Sequence, residues 1–230
     1  MVASDVSCCG VAVCAIAVSS TLAWREFGGG RPLAPAPAPQ RRPTYTKGWE
    51  EVATSGIRTG RIDAKIQIVE FADFECPFCK RFNSQLRLLT ARFPDQISVV
   101  FVHFPISGHR FALAAGRAAE CALAQGRFAQ MRDALYDKQD SLGLKSWTSY
   151  ALAAGVTDTS SVARCAAAAN RVERIERGLA LGSKFGVRGT PTVIVNGWNF
   201  QGPPPDTEVG APGRAAFGGP PPFRSEHKAE

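Results

Sequence analysis

An α/β fold with a parallel strand pair is predicted by three features of this 230-residue sequence. Two apolar segments, KIQIVEF from Lys65 and QISVVFVHF from Gln96, show little alternation and are predicted as strands buried on both faces. Between them, apolar residues recur at helical spacing from Phe82 to Phe93, and a strand, helix, strand order favours a right-handed crossover with parallel strands. The third feature is TVIVNGWNF from Thr192, whose central Asn-Gly is typical of a hairpin turn.

Five helices are predicted between the second strand and the hairpin, each with apolar or small residues at helical spacing. Either Asp158 or Thr159 could cap the fourth of them. The residues that indicate these helices run from Phe111 to Ala122, from Phe128 to Leu135, from Ser146 to Gly155 and from Val172 to Leu179; the fourth helix in chain order follows its cap and carries Cys165. The predicted order is therefore β-α-β, several helices and a β-hairpin.

The composition divides the chain into four predicted parts. Residues 1–27 contain an almost uncharged segment, 8–24, whose 17 residues are at the short limit of a membrane span and somewhat long for the apolar part of a signal peptide. Residues 28–43 form a linker rich in Pro, Ala and Gly, and 44–201 form the globular domain. Residues 202–230, with 12 Gly or Pro among 29 positions, are predicted as a disordered tail.

The charges around the apolar segment leave its topology open. Asp5 precedes the segment without any Lys or Arg, whereas four arginines follow between residues 25 and 42. The positive-inside rule would then place the domain in the cytoplasm. An apolar segment followed by a semi-rigid spacer nevertheless favours export with a membrane tether. We expect an extracytoplasmic domain, in the periplasm or cell envelope, tethered through residues 8–24.

The bulk composition argues against two classes of partner. Basic residues exceed acidic ones by 27 − 20 = 7, but they are scattered and often flanked by acids. A nucleic-acid footprint needs a clustered patch and a reader motif, so no nucleic-acid partner is predicted. The seven cysteines are unevenly spread, unlike the disulfide framework of a small secreted domain. Since no second Cys-x-x-Cys or paired histidine motif could complete a zinc site, no metal is predicted.

The segment VEFADFECPFCKRF, from Val69 to Phe82, carries the most chemical information. Cys76 follows a buried strand at the first turn of the next helix, where Pro77 loses no needed hydrogen bond. A thiolate there faces unpaired N–H groups and the positive end of the helix dipole, which lower its pKa. Cys76 is therefore the predicted nucleophile and Cys79 the resolving thiol. A purely structural disulfide, the alternative, would close a very short loop and constrain the unfolded chain little.

DFECPFCKRF, together with GVRGTPTVIVNG from Gly186, resembles the thioredoxin superfamily and specifically its DsbA-like branch. The resemblance covers about residues 62–201. It implies a thioredoxin fold in which residues of about 107–186 form an inserted helical domain. Such domains usually close with a helix after the hairpin, but Gly202-Pro203-Pro204-Pro205 blocks it here. The predicted fold therefore lacks that closing helix. Either the upstream helices cover this face of the sheet, or the face stays uncovered.

The resemblance assigns roles to individual residues. Cys76 matches the attacking cysteine and Cys79 the resolving one. Pro191 matches a cis-proline that faces them, and the backbone of Thr190 would pair with an extended substrate segment. Phe78, between the two cysteines, should be exposed, and an exposed aromatic ring beside the nucleophile would suit binding of unfolded chains. The implied substrate contacts are Pro77, Phe78, Thr190 and Pro191.

Glu70 matches the buried acid of the family, six residues before the attacking cysteine. Its own context agrees, because on a strand it shares a face with Ile66 and Ile68 and should be desolvated, with a raised pKa. Such a carboxyl group could take the proton of Cys79 during exchange. The alternative is an edge residue that reaches solvent.

The implied function is thiol–disulfide exchange with unfolded or cysteine-containing proteins, without a cofactor beyond the Cys76–Cys79 disulfide. A membrane or soluble redox partner would reset the protein. Strongly oxidising members often carry histidine before the second cysteine; here Phe78 stands there, and Thr190 also occurs in reducing and isomerising members. We therefore expect a milder oxidase. A reductase or isomerase, and a non-catalytic chaperone or binding module on the same scaffold, remain alternatives.

Cys121 and Cys165 both fall on predicted helices of the insertion. Some family members carry a second, structural disulfide there, and the resemblance implies the same pair here. The alternative is two small buried apolar side chains.

Overall fold

A six-stranded mixed sheet lies at the centre of this computed structural model, which describes residues 43–168 and 170–204. Its strands are β1 (Thr44–Tyr45), β2 (Ile57–Thr59), β3 (Ile66–Ala72), β4 (Ile97–His103), β5 (Thr192–Val195) and β6 (Trp198–Gln201). They lie in the order β1-β6-β5-β3-β4-β2, with β3 and β4 parallel and the other neighbours antiparallel. The predicted α/β class and the parallel pair are confirmed.

Seven α-helices accompany the sheet within the described residues. They are α1 (Trp49–Ser55), α2 (Pro77–Arg92), α3 (Ala112–Leu123), α4 (Phe128–Asp137), α5 (Trp147–Ala153), α6 (Thr159–Ala167) and α7 (Glu173–Lys184), with a 3₁₀ turn at Gln139–Ser141. The five helices predicted between the second strand and the hairpin are present as α3 to α7. Asp158 caps α6, because its side chain accepts a hydrogen bond from the Ser161 N–H at 2.8 Å.

The hairpin between β5 and β6 turns at Asn196-Gly197, as its sequence predicts. Both residues have positive φ, 45° at Asn196 and 90° at Gly197, which the tight two-residue hairpin turn requires. The Asn196 side chain also accepts a hydrogen bond from the Gln67 N–H at 2.8 Å, which fixes the turn against β3. β5 thereby pairs with β3, and Val193 lies opposite Glu70.

The two faces of the sheet bury separate apolar clusters. On one face, Phe82 and Leu86 of α2 pack with Ile66 and Ile68 of β3. The other face is covered by α1 and α7, through Trp49, Val52, Ala53 and Leu181 against Val69, Phe71, Val100, Val102 and Ile194. The sequence reasoning did not predict α1, and α1 supplies part of the cover that a closing helix would give. Residues 205–230, where such a helix would follow, lie outside the described residues.

The helical insertion has its own core, which joins α3, α4, α5 and α6. Met131, Leu135 and Tyr150 are among its fully buried side chains. A disulfide connects Cys121 of α3 with Cys165 of α6, so the pairing implied by the resemblance is present in the structure. This core also contains Cys76 and Cys79, which means that the insertion packs directly against the predicted redox centre.

No helix within residues 43–168 and 170–204 is long and apolar enough to cross a membrane. The predicted apolar segment, 8–24, and nearly all of the linker lie outside the described residues, so the tether stays a prediction. The predicted division of the chain into four parts likewise stays a prediction.

Gly178 of α7 permits a close approach between this helix and β4, since a Cβ atom there would collide with the backbone carbonyl oxygen of His103. We expect Gly178→Ala to lower the free energy of unfolding by about 1–3 kcal/mol, a cost typical of overpacking. Urea denaturation measures it. Gly108→Ala is the control, because no atom lies within 4 Å of its Cβ position, and its effect should stay within about 0.5 kcal/mol. Equal losses in the two variants would contradict the role of this contact.

Candidate active site

Three segments converge on Cys76: the end of β3, the start of α2, and the loop before β5. Cys76 is the N-cap of α2 with extended backbone, and Pro77 is the first residue of the helix. Proline is suited to this position because the first helical N–H groups have no partner within the helix. The sequence therefore places the Cys76 sulfur at the end of the helix where free N–H groups point outward.

The loop before β5 brings Thr190 and Pro191 against Cys76. Their peptide bond is cis, as the resemblance implies. The Cys76 Sγ lies 3.1 Å from the carbonyl oxygen of Thr190, to which the protonated thiol donates. These residues are 114 positions apart in sequence, and the contact brings the two halves of the predicted motif together.

The surroundings of Cys76 stabilise its thiolate and lower its pKa to about 5. The largest contribution is a hydrogen bond from the Cys79 thiol. Smaller ones come from hydrogen bonds that the backbone N–H groups of Cys79 and Phe78 donate, while burial acts in the opposite direction. No cation is among these stabilising groups, so neutral donors alone account for the low pKa.

Cys79 behaves in the opposite way. Its side chain is fully buried, at 0% exposure, against 4% for Cys76. Burial raises its pKa well above the usual value, and the hydrogen bond to Cys76 and the nearby charge of Glu70 add to the effect. Both cysteines are free thiols in this structure. At neutral pH the pair therefore has one thiolate, on Cys76, and one proton, on Cys79.

Glu70 lies on the central strand β3, between Phe101 of β4 and Val193 of β5. It is 1% exposed, and its Oε1 has no hydrogen-bond partner among the described residues. Burial raises its pKa to about 8, against a smaller opposing effect of the Arg132 charge and a small additional rise from Cys76. The structure thus gives Glu70 the buried position and the raised pKa that its strand context predicts.

A set of anchors that the sequence reasoning missed holds the loop before Cys76. The fully buried carboxylate of Asp73 accepts hydrogen bonds from the Glu75 N–H at 2.6 Å and the Ile106 N–H at 2.7 Å, and lies 2.8 Å from the His109 Nδ1. The bond to Glu75, two residues on, is the local turn that aspartate favours, and Asp73 between strand and helix was the available signal. The bonds to the later loop depend on the fold and have no sequence signal.

A second anchor comes from the insertion. The buried Gln139 side chain donates to the carbonyl oxygens of Phe74 at 2.8 Å and Cys76 at 3.0 Å. The Phe111 N–H donates to the Glu75 carboxylate at 2.6 Å. These bonds fix the segment from Phe74 to Cys76 to the helical domain.

Phe78 is half exposed, at 51%, as the sequence predicts, and the Arg81 guanidinium lies 4.7 Å from the centre of its ring. Beside it, Pro77 is exposed as well. A cleft of about 280 Å³ lies next to Thr190 and is lined by Arg188, Gly189, Thr190, Pro191, Thr192, Gln201 and Gly202. The four residues predicted to contact substrate therefore lie around Cys76, next to an open cleft.

Within residues 43–168 and 170–204, no group of three or more His, Cys, Asp or Glu side chains is arranged to hold a metal ion.

Sequence comparisons bear on the family of this chain. A family model described as Thioredoxin matches residues 53–211. Over 146 residues the chain is 36% identical to the Na(+)/H(+) antiporter NhaA 1 of Mycolicibacterium vanbaalenii, a match that covers 63% of this chain and 24% of that protein. The chain thus spans about a quarter of the length of the curated relatives it matches.

Two solved structures illustrate the similarity of fold. A thioredoxin-like oxidoreductase from Silicibacter pomeroyi DSS-3 has a TM-score of 0.57 and 25% identity, covering 68% of this chain and 88% of that one. The thiol-disulfide exchange protein alpha-DsbA2 from Wolbachia pipientis has a TM-score of 0.57 at 19% identity, covering 70% of this chain and 92% of that one. At 19% identity, the similarity to the Wolbachia protein is a similarity of fold.

Proposed function

We propose that this chain, which belongs to the thioredoxin family, is a DsbA-like thiol–disulfide oxidoreductase that oxidises substrate proteins. The observation that carries the proposal is the Cys76 thiolate, whose pKa of about 5 results from its place at the start of α2 beside Cys79. A stabilised thiolate is a good leaving group, and it stabilises the reduced form of the pair. Both properties favour transfer of the disulfide to a substrate.

The first step starts from the oxidised protein, in which Cys76 and Cys79 form a disulfide. A substrate thiolate attacks the Cys76 sulfur, so that a substrate–Cys76 disulfide forms while the Cys76–Cys79 bond breaks. The electron pair of that bond leaves on Cys79, whose high pKa makes it take a proton at once. Glu70 holds a proton at neutral pH and is the proposed donor.

In the second step another substrate thiolate attacks the substrate sulfur of the mixed disulfide. A substrate disulfide forms and Cys76 leaves as its stable thiolate. Two electrons have then passed from the substrate to the Cys76–Cys79 pair, and a membrane or soluble redox partner removes them. The cysteine pair itself is the only redox group that the cycle uses.

Substrate contacts follow from the same geometry. An extended segment can pair with the backbone of Thr190, as in strand addition. Phe78 offers an exposed ring to apolar side chains next to the reacting cysteine. Unfolded, cysteine-containing chains meet both requirements, because their backbone is free to extend.

The expected oxidising strength, expressed as a reduction potential, follows from the pKa of Cys76. Its pKa of about 5 lies between the values of about 7 for thioredoxin and about 3.5 for DsbA. We therefore expect a reduction potential between about −270 mV and −120 mV. Equilibration with glutathione redox buffers, followed by trapping of free thiols, measures it. A potential near that of thioredoxin would reject the oxidase in favour of a reductase.

The Cys121–Cys165 disulfide also bears on location, since such bonds persist in oxidising compartments. We propose that the domain lies outside the cytoplasm, tethered through residues 8–24. Protease treatment of intact and permeabilised cells tests this. A domain protected until the cytoplasmic membrane is opened would contradict it.

A further inference from the structure

We propose that three exposed arginines around Cys76 select substrate segments with acidic residues beside the reacting cysteine. Arg81, Arg110 and Arg188, here called the arginine rim, come from three separate segments of the chain. The inference rests on the proposed function and adds a substrate preference to it.

Each arginine lies in, or beside, a segment that borders the nucleophile. Arg81 lies over the ring of Phe78, in the first turns of the helix that Cys76 caps. Arg110 adjoins Phe111, whose N–H donates to the Glu75 carboxylate directly before Cys76. Arg188 lines the cleft beside Thr190, whose carbonyl oxygen is 3.1 Å from the Cys76 sulfur.

These arginines differ from eight Lys and Arg side chains of the described residues in having no ion pair. The ion pairs of residues 43–168 and 170–204 occupy, among others, Arg61, Arg87, Arg132, Arg171, Arg174, Arg177 and Lys184. None of them includes a member of the arginine rim. All three rim residues are exposed, so their charges are open to a partner.

The local charge remains positive when nearby acids are counted. Lys80 adds a fourth cation, but it pairs with the exposed Asp140 at 3.3 Å. Glu75 is half-buried and bound to a backbone N–H. The sum over these side chains is 4 − 2 = +2. Asp73 is fully buried and bound by two N–H groups and His109, so it contributes little at the surface.

Charges at the edge of a binding site act chiefly on the rate of encounter, in a salt-dependent way. An extended segment that pairs with Thr190 and presents its cysteine to Cys76 must place its neighbouring side chains among the arginine rim. Carboxylates at those positions are attracted, and lysines are repelled. The rim thereby favours acidic over basic cysteine sites within an unfolded chain.

The test uses short acetylated and amidated peptides that carry one cysteine between two Asp, two Asn or two Lys residues. Stopped-flow kinetics with the oxidised full-length protein gives the second-order rate constant for mixed-disulfide formation. Each rate is divided by that of the same peptide with neutral 2-hydroxyethyl disulfide, which removes differences in thiol reactivity. At low salt we expect the Asp peptide to react about tenfold faster than the Asn peptide, and the Lys peptide to be slower. At about 1 M salt, where the Debye length is about 3 Å, the ratio should fall towards one.

Variants locate the effect. The triple change Arg81→Gln, Arg110→Gln and Arg188→Gln should reduce the Asp/Asn rate ratio to about twofold or less. Arg92→Gln is the matched control, because Arg92 lies over Phe93 at the far end of α2 and also has no ion pair among the described residues. It should leave the ratio unchanged. Equal Asp and Asn rates in the native protein, or the same fall in both variants, would overturn the inference while leaving the function intact. Absence of reaction with all three peptides would instead reject the proposed function.

Discussion

Replacing Cys76 with serine is expected to reduce thiol–disulfide exchange to the rate of the buffer alone. Every step of the proposed cycle forms or breaks a bond at the Cys76 sulfur, and a serine hydroxyl cannot form that bond. Cys79 cannot substitute for it, because it is fully buried and keeps its proton. Oxidation of a reduced, unfolded substrate protein by the full-length chain measures the loss.

Cys79→Ser is the matched control, with a different expected result. It retains the Cys76 thiolate and removes the thiol that resolves the mixed disulfide. With a substrate protein that carries disulfides, the Cys76 thiolate displaces one substrate sulfur, and the resulting mixed disulfides should accumulate and be visible on non-reducing gels, whereas Cys76→Ser should yield none. Exchange at the native rate in Cys76→Ser would show that the chemistry lies elsewhere in the chain.

The pH dependence of alkylation identifies the Cys76 thiolate directly. With a pKa of about 5, the reduced native protein should react with iodoacetamide at a rate that rises about tenfold per pH unit below pH 5 and is flat above about pH 6. An unperturbed thiol would continue to gain up to about pH 8.5. The alkylation rate of Cys76 should therefore exceed that of an unperturbed thiol most clearly at acidic pH. At higher pH this difference shrinks, because a low-pKa thiolate is intrinsically a weaker nucleophile. A rate that still rises between pH 7 and pH 8 would contradict the pKa assigned to Cys76.

The central elements of this fold could be predicted because their local and global signals agree. The segments that became β3 and β4 lack alternation since both faces are covered, and the helices of the insertion carry regular apolar faces. By contrast, β1 has two residues and β2 has three. Strands of this length contain too few alternations to show a period, and their pairing partners supply most of their stability.

The residues of the candidate site likewise divide into those with a local sequence signal and those without one. Cys76, Cys79 and Pro191 belong to short motifs, and Glu70 follows from strand alternation. Asp73 and Gln139, which hold the backbone around Cys76, bind groups 33 to 65 positions away. Such contacts depend on how the insertion packs against the sheet, and that packing leaves no local pattern. The opposite pKa shifts of the two neighbouring thiols likewise depend on how deeply each is buried, and only the folded structure shows that.

Glu70→Gln is expected to stabilise the protein and to slow its catalytic cycle at the same time. A buried carboxyl group with a pKa of about 8, against 4.5 in the unfolded chain, keeps its proton on folding where the unfolded chain would lose it. Below pH 4.5 both states are protonated and Glu70 costs nothing. As the pH rises towards 8 the cost grows, because the unfolded state gains stability by ionising, and above that pH it becomes constant.

The gain from the neutral glutamine should follow the same curve. At pH 7 we expect an increase of about 3 kcal/mol in the free energy of unfolding, shrinking towards zero near pH 4.5. Urea denaturation of the oxidised protein measures it without interference from the Cys76 thiolate. Glu50→Gln is the control, because Glu50 is exposed on α1, and its effect should stay within about 0.5 kcal/mol at every pH.

The catalytic effect of Glu70→Gln separates a proton carrier from a group that is only buried. When Cys79 attacks a mixed disulfide it must first lose its proton, and burial makes that loss costly. Without the carboxylate we expect this step to slow by about a hundredfold at neutral pH, the lower range for general base catalysis. The attack of a substrate on Cys76 in the oxidised protein is the reverse of this step, because Cys79 leaves and takes the proton, so it should slow as well. Alkylation of Cys76 in the reduced protein should change far less, since the Cys76 thiolate owes its low pKa first to the Cys79 thiol. A variant that is stabilised as predicted but resolves mixed disulfides at the native rate would leave Glu70 without a role in proton transfer.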